Sequence, residues 1–180
     1  MRNEGLSVNA DHYLYFTEDA LTKYGAYAKC NPALRDERRV KQLWKFIEDG
    51  TIDTIGSDHA PYTVEEKERG QGDIFVAPSG MPSIEVRLPL TLTAVKRGRI
   101  SMNRAVQLLS TNPARIFGLH PRKGNLCPGA DADMVLVDLN EEYTINTTNM
   151  FTKSKDTAKI FEGLRVCGKV KKTFLRGELI

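Results

Sequence analysis

The chain has 180 residues, 26 basic against 23 acidic side chains, and a formal net charge of +3. A hydrophobic fraction of 41% beside 27% charged residues is the balance of a globular domain and excludes a disordered tract or a collagen-like repeat. No apolar run approaches the ~20 residues that span a bilayer, and no basic cluster is denser than Lys169-Lys171-Lys172, so neither a membrane nor a nucleic acid is expected as a partner.

The start Met1-Arg2-Asn3-Glu4-Gly5 lacks the charged-then-apolar plan of a signal peptide. Three scattered cysteines, Cys30, Cys127 and Cys167, have no CxxC spacing and point to a reducing cytoplasm, against a disulfide framework or structural zinc. A complete eight-fold (β/α) barrel needs ~250 residues, so the length excludes one.

In chain order, Leu6 to Ala10 alternates apolar and polar residues as a short strand does. It runs into the aromatic segment Tyr13-Leu14-Tyr15-Phe16, expected at the strand's end. Thr17, followed by Glu18 and Asp19, reads as a helix start, and Tyr24 to Leu34 as loop with a brief extended piece. The clearest helix opens at Asp36: Val40, Leu43, Trp44 and Ile47 fall on one face, and Gly50 closes it. Ile52 to Gly56 is a β-branched run ending in Ser57-Asp58-His59, and a polar cluster at a strand's C-terminal end is where α/β folds place chemistry. Val64 to Gly80 reads as a long surface loop, and Ser83 to Arg97 as a helix kinked at Pro89. Ser101 is an N-cap for the segment carrying Ala105 and Leu108. Asn112-Pro113 starts another short helix. After Leu119, Gly124, Pro128 and Gly129 break the chain, and three β candidates follow at Met134–Val137, Val166–Val170 and Thr173–Leu175. A domain boundary near residue 120 is expected, with α/β before it and β after it.

Among residues that could carry chemistry, Asp58 at a strand end suits metal binding or proton transfer, or else caps the turn that follows. Asn31, in Asn31-Pro32-Ala33-Leu34-Arg35, offers donors and acceptors to an amide-like ligand, or simply forms a turn. Cys30 reads as a buried thiol and His12 as a packed, hydrogen-bonded histidine; His120 is given no role. With His12 and His59 alone before the boundary, the chain cannot supply a three-ligand catalytic zinc site by itself.

Taken together, the motifs resemble the cyclic amidohydrolases, the family of hydantoinase, dihydropyrimidinase, allantoinase and dihydroorotase. Gly56-Ser57-Asp58-His59-Ala60-Pro61 is similar to the segment ending the family's eighth barrel strand. Asp11-His12-Tyr13-Leu14, Lys29 to Arg35, and Asn112 to Leu119 match further pieces in the right order. Lys123-Gly124, Gly129 to Asp133 and Gly163 to Ile180 resemble its β-sandwich. The resemblance implies an α/β chain: residues 1–120 as the C-terminal part of a (β/α)8 TIM barrel, and residues 121–180 as closing strands of a small β-sandwich.

It also implies that Asp58 binds one of one or two divalent metals, usually zinc, and shuttles the proton during hydrolysis of a cyclic amide or imide. Asn31 and Ser79 are implied as substrate contacts, and His59 as support for the aspartate. Asn-Pro-x-Leu-Arg looks like dihydroorotase. Tyr62, standing where those enzymes carry a histidine, and the loop Gly72-Asp73-Ile74-Phe75 with Pro78-Ser79-Gly80 look closer to hydantoinase and dihydropyrimidinase. The family's His-x-His pair, carboxylated lysine and two later metal histidines do not occur among His12, His59 and His120. The chain thus looks like the last third or so of such an enzyme. Alone it is expected to hold metal weakly and to be inactive, and to form a homo-oligomer or associate with a missing N-terminal part. The alternative is a non-catalytic truncated relative acting through self-association or a partner chain.

Overall fold

Two short strands, β1 (Val8–Ala10) and β2 (Thr54–Gly56), lie parallel, with Val8 opposite Thr54, Asn9 opposite Ile55 and Ala10 opposite Gly56. The computed structural model describes residues 8–180, so Leu6 and Ser7 of the expected first strand fall outside the described residues. Parallel neighbours require a crossover. Residues 11–53 supply it through α1 (Asp11–Tyr15), α2 (Asp19–Tyr24), a 3-10 turn at Gly25–Ala28, and α3 (Glu37–Glu48).

The helix read from apolar spacing is α3. Asp36 caps it by accepting a hydrogen bond from the Arg39 N–H at 2.9 Å, satisfying one of the orphan donors of the first turn. Its buried residues Trp44 and Ile47 join Leu14, Ile52, Ile55 and Leu108 in one apolar cluster. The Trp44 indole N–H donates to the Leu14 carbonyl at 2.8 Å, which ties α3 to the segment following β1.

Three expectations are corrected by local chemistry. The stretch expected as loop after Val64 begins with a helix, α4 (Val64–Glu68), fastened by a capping box. The Thr63 hydroxyl accepts from the Glu66 N–H, and the Glu66 carboxylate accepts from the Thr63 N–H at 2.8 Å. Pro89 does not sit mid-helix, because α5 runs from Arg87 to Lys96 and its first turn needs no N–H from residue 89. Downstream, α6 (Met102–Val106), a π-helical turn at Gln107–Thr111 and α7 (Asn112–Ile116) follow without a break. The wider turn falls just before Pro113, which has no N–H for an α-helical ladder.

The chain then forms an antiparallel sheet in the order β3 (Met134–Thr144), β4 (Arg165–Leu175), β5 (Glu178–Leu179). Two of the expected short strands are one, β4, and β3 absorbs register shifts between Leu136 and Val137 and between Asp138 and Glu142. Between β3 and β4 the chain leaves the sheet. Ile145, Ala158, Ile160 and Phe161 pack into a second cluster with Ala28, Cys30, Leu34, Met81 and Leu90. Strand β4 lies close against α5: a Cβ at Gly168 would stand 2.6 Å from Leu92 Cδ1, and the Cys167 N–H donates to Thr93 Oγ1 at 2.9 Å. Residues from both sides of position 120 share this second core.

Candidate active site

The parallel register decides what meets at the strand ends. Ala10 pairs with Gly56, so His12 and Asp58 each stand two residues beyond the last paired position, on neighbouring strands. Their side chains approach to 3.8 Å between His12 Nε2 and Asp58 Oδ2. The two environments are opposites. His12 is fully buried, while the Asp58 side chain is 55% exposed. Asp58 holds φ at +49°, a left-handed conformation that Asp tolerates better than most residues, and it turns the chain out of β2 here.

Among the described residues, neither ring nitrogen of His12 has a hydrogen-bond partner, nor does either carboxylate oxygen of the neighbouring Asp11, which is also buried. Burial, partly offset by Asp58, lowers the His12 pKa to about 4, so the ring is neutral at pH 7. Burial, partly offset by Arg87, raises Asp11 to about 7. The expectation of a hydrogen-bonded, packed His12 is therefore half corrected: the ring is packed, 4.2 Å from the Tyr13 ring, but unbonded. No sequence signal marks this, because the orphan state depends on what the other strand brings.

Asn31 and Ser79 belong to segments laid against the Asp58 strand end. The Gly80 N–H donates to the Lys29 carbonyl at 2.8 Å, and the Ala60 N–H donates to the Met81 carbonyl at 3.0 Å. Met81 also forms a parallel bridge with His59. The 77–82 segment thus runs between the Asn31 segment and the Asp58 segment. Gly80 is required there, since its φ is +121° and a Cβ would lie 2.4 Å from Ala60 Cβ. Tyr13 closes the ring of contacts by donating its hydroxyl hydrogen to the Pro32 carbonyl at 2.7 Å. Asn31 is exposed and Ser79 half-buried. Cys30 is buried, as expected, with its thiol pKa raised by that burial.

Two lysines that sequence reasoning passed over hold this arrangement. Lys67 on α4 is fully buried, and its ammonium donates to the carbonyls of Ala26 at 3.2 Å, Pro78 at 2.9 Å and Gly80 at 2.5 Å. Lys29 donates to the carbonyls of Phe75 at 3.1 Å and Ala77 at 2.5 Å. Burial, helped by the charge of Lys29, lowers the Lys67 pKa to about 8. His59 faces away from solvent chemistry: its Nδ1 accepts from the Ser83 N–H at 3.1 Å and the Ile84 N–H at 3.3 Å. That fixes the segment entering α5.

The arrangement is an exposed carboxylate at the C-terminal mouth of parallel strands, backed by a neutral buried imidazole and ringed by polar loop segments. The sequence pattern of the Amidohydrolase family matches residues 12–180. The chain belongs to the amidohydrolase family. L-hydantoinase of Paenarthrobacter aurescens is 35% identical over 183 residues, covering 99% of this chain and 40% of the relative. A dihydroorotase of Halobacterium salinarum is 40% identical over 152 residues, covering 84% of this chain and 35% of its own length. Among solved structures, a D-hydantoinase superposes with a TM-score of 0.91 at 35% identity, covering 97% of this chain and 39% of its own. An L-hydantoinase (dihydropyrimidinase) from Arthrobacter aurescens gives 0.88 at 34%, covering 97% and 38%. The chain spans about two-fifths of the length of these relatives. Its α/β segment is part of the amidohydrolase TIM barrel, and the small antiparallel sheet follows it.

A divalent metal is the cofactor such a barrel implies. Asp58 fits as one ligand, since its carboxylate is exposed at the strand mouth and His12 is the one group within ion-pair distance of it among the described residues. Also among the described residues, no group of three or more His, Cys, Asp or Glu is arranged to hold a metal. These residues fit a share of an amidohydrolase centre.

Proposed function

We propose that this chain carries the Asp58 side of the active site of a cyclic amidohydrolase, which hydrolyses a C–N bond in a small cyclic amide or imide. The observation that carries the reading is the convergence at the strand mouth. Asp58 emerges at the C-terminal end of β2 beside His12, and the Asn31 and Ser79 segments are hydrogen-bonded around it. Supported metal ions, zinc being the usual one, would lower the pKa of the attacking water and polarise the ring carbonyl. Asp58 then acts as the base that takes the water's proton onto a carboxylate oxygen and as the acid that returns it to the leaving ring nitrogen. Asn31 and the half-buried Ser79 hold the ring's polar groups. The Lys67 and Lys29 ammonium groups keep the main chain around Ser79 in place.

Within the family, the reading favours a hydantoin or dihydropyrimidine ring over dihydroorotate. Tyr62, over whose ring Lys67 Nζ sits at 5.3 Å, stands at the position where dihydroorotases carry the histidine that helps hold the substrate carboxylate.

The test is a chimera in which these 180 residues replace the corresponding two-fifths of the Paenarthrobacter aurescens L-hydantoinase. Ring opening of hydantoin is expected in the chimera and is expected to fall by at least about a hundredfold in Asp58→Asn, the usual weight of a general acid–base. A metal-loaded chimera whose Asp58→Asn variant retains full activity overturns the proposal. The isolated 180-residue chain is expected to show no ring opening above background.

A second reading, a non-catalytic protein that works by association, is favoured by one observation. Val135, Leu136 and Leu139 on β3 and Leu175 on β4 expose apolar side chains, as does Leu179 on β5. Light scattering that finds a monomer at high concentration counts against it.

A further inference from the structure

We infer that His12 is a positioning residue for Asp58: its buried ring presents Nε2–H to the Asp58 carboxylate and sets which carboxylate oxygen is free for chemistry. The inference rests on the reading of Asp58 as the working carboxylate of the site, and extends it to a residue that has no assigned part in it.

Three observations carry it. First, the parallel register places both residues two positions beyond the paired Ala10 and Gly56, so their proximity is built into the strands. Second, His12 has no exposed surface and neither ring nitrogen has a partner among the described residues. A buried polar atom left unpaired is costly, so a sequence that keeps one beside an exposed acid gains something there. Third, the solvent-facing member of the pair is the acid. The 3.8 Å separation of Nε2 and Oδ2 exceeds the hydrogen-bond range, but the Asp58 side chain is 55% exposed, so a change of its rotamer can close the gap. The imidazole is wedged beside Tyr13, with ring centroids 4.2 Å apart. A fixed donor and a swinging acceptor make the ring the template and the carboxylate the part that docks.

Asp11, also unpaired, does not share this role: Arg87 is the charge that acts on it, whereas Asp58 acts on His12, Tyr13 and Cys30. Of those three, His12 is the one with a ring nitrogen within ion-pair distance of the Asp58 carboxylate. With Nε2 turned to a carboxylate, the proton belongs on Nε2, because the tautomer follows the hydrogen bond the ring makes. In metal sites, partners of this kind orient the ligands directly bound to the ion.

The experiment uses the full 180-residue chain in two steps. Long-range 15N–1H spectra of the His12 ring are expected to show Nε2 protonated, with its resonance moving in Asp58→Asn while Nδ1 stays in place. Co(II) titration followed by visible absorption then compares the wild type with His12→Leu and His12→Gln. The leucine variant is expected to bind about 10- to 100-fold more weakly, the usual cost of losing an outer partner. The glutamine variant, whose amide N–H can take the same place, is expected to recover most of that loss. Folding of each variant is checked by the dispersion of its amide spectrum.

A proton on Nδ1 with a bare Nε2 overturns the inference. So does a glutamine variant as weak as the leucine one, or a leucine variant that binds like the wild type. If the wild-type chain alone takes up no Co(II), as a share of a centre allows, the same three proteins are compared within the L-hydantoinase chimera, where a leucine variant that binds Co(II) like the wild type overturns the inference.

Discussion

Polar groups are handled in opposite ways in the α/β part and in the antiparallel sheet. In the first, Asp11, His12 and Thr91 bury atoms that have no hydrogen-bond partner among the described residues. Around β3–β5 several charges lie toward the surface in ion pairs. Arg165 meets Glu142 at 3.0 Å, Lys123 meets Asp131 at 3.0 Å, and Lys171 and Glu141 are in contact. Surface pairs of this kind contribute little and are screened by salt. Buried unpaired groups cost stability and persist where chemistry or assembly needs them. The difference is one of burial: surface pairs occur in both regions, as between Lys41 and Glu37 on α3, whereas buried unpaired side-chain atoms are, among the described residues, confined to the α/β part.

The sharpest way to break this comparison is at Asp11. Burial raises its pKa from 3.8 to about 7, so the folded state binds the proton more tightly than the unfolded state. Stability is therefore lost as pH rises from about 4 through 7. Asp11→Asn removes that penalty: it is expected to exceed the wild type by as much as about 4 kcal/mol at pH 8 and to show no such gain near pH 4. Urea unfolding at the two pH values measures the gap, and an equal gap at both would refute the account.

A smaller effect is expected at Lys67. Lys67→Met leaves the carbonyls of Ala26, Pro78 and Gly80 without their shared donor and should cost about 2–3 kcal/mol. Faster proteolysis within residues 70–80 would accompany it, and unchanged cleavage rates would show that the loop is held some other way. Asp36→Ala, which strips the cap from α3, is expected to cost about 1 kcal/mol, read by thermal melting. At the small end, Lys171→Ala should leave the unfolding midpoint unchanged within replicate scatter at moderate salt. A clear loss there would mean that the sheet's surface charges do more than the comparison allows.

Much of the architecture was legible in the sequence because it is written locally. The spacing of Trp44 and Ile47, the cap at Asp36 and the β-branched run into Gly56 each follow from neighbouring residues. Asp58 was legible for the same reason, as an acid ending a strand. What escaped depends on distant partners. The Thr63-x-x-Glu66 capping box was visible and passed over because the charged stretch after it looked like loop. Lys67 reads as a surface residue until Ala26, Pro78 and Gly80 are folded around it. His12 could be recognised as buried from its aromatic neighbours. That it is unbonded and beside Asp58 comes from the register of β1 on β2, which neither segment encodes alone. The single strand β4 was split in two because Lys171-Lys172 interrupt its apolar pattern on the exposed face.

Lys29 and Lys67 grip the 75–80 segment by its main-chain carbonyls, and the side chains of Ile74, Phe75 and Val76 point into solvent. A loop fastened by its peptide groups is indifferent to most of its own side-chain identities. Mutation can therefore explore new shapes at 74–76 and 79 while Lys29, Lys67 and Gly80 conserve the frame. Side-chain identity at 74–76 and the placement of the main chain are uncoupled at this rim, and a randomised library at those four positions is expected to leave the unfolding midpoint largely unchanged.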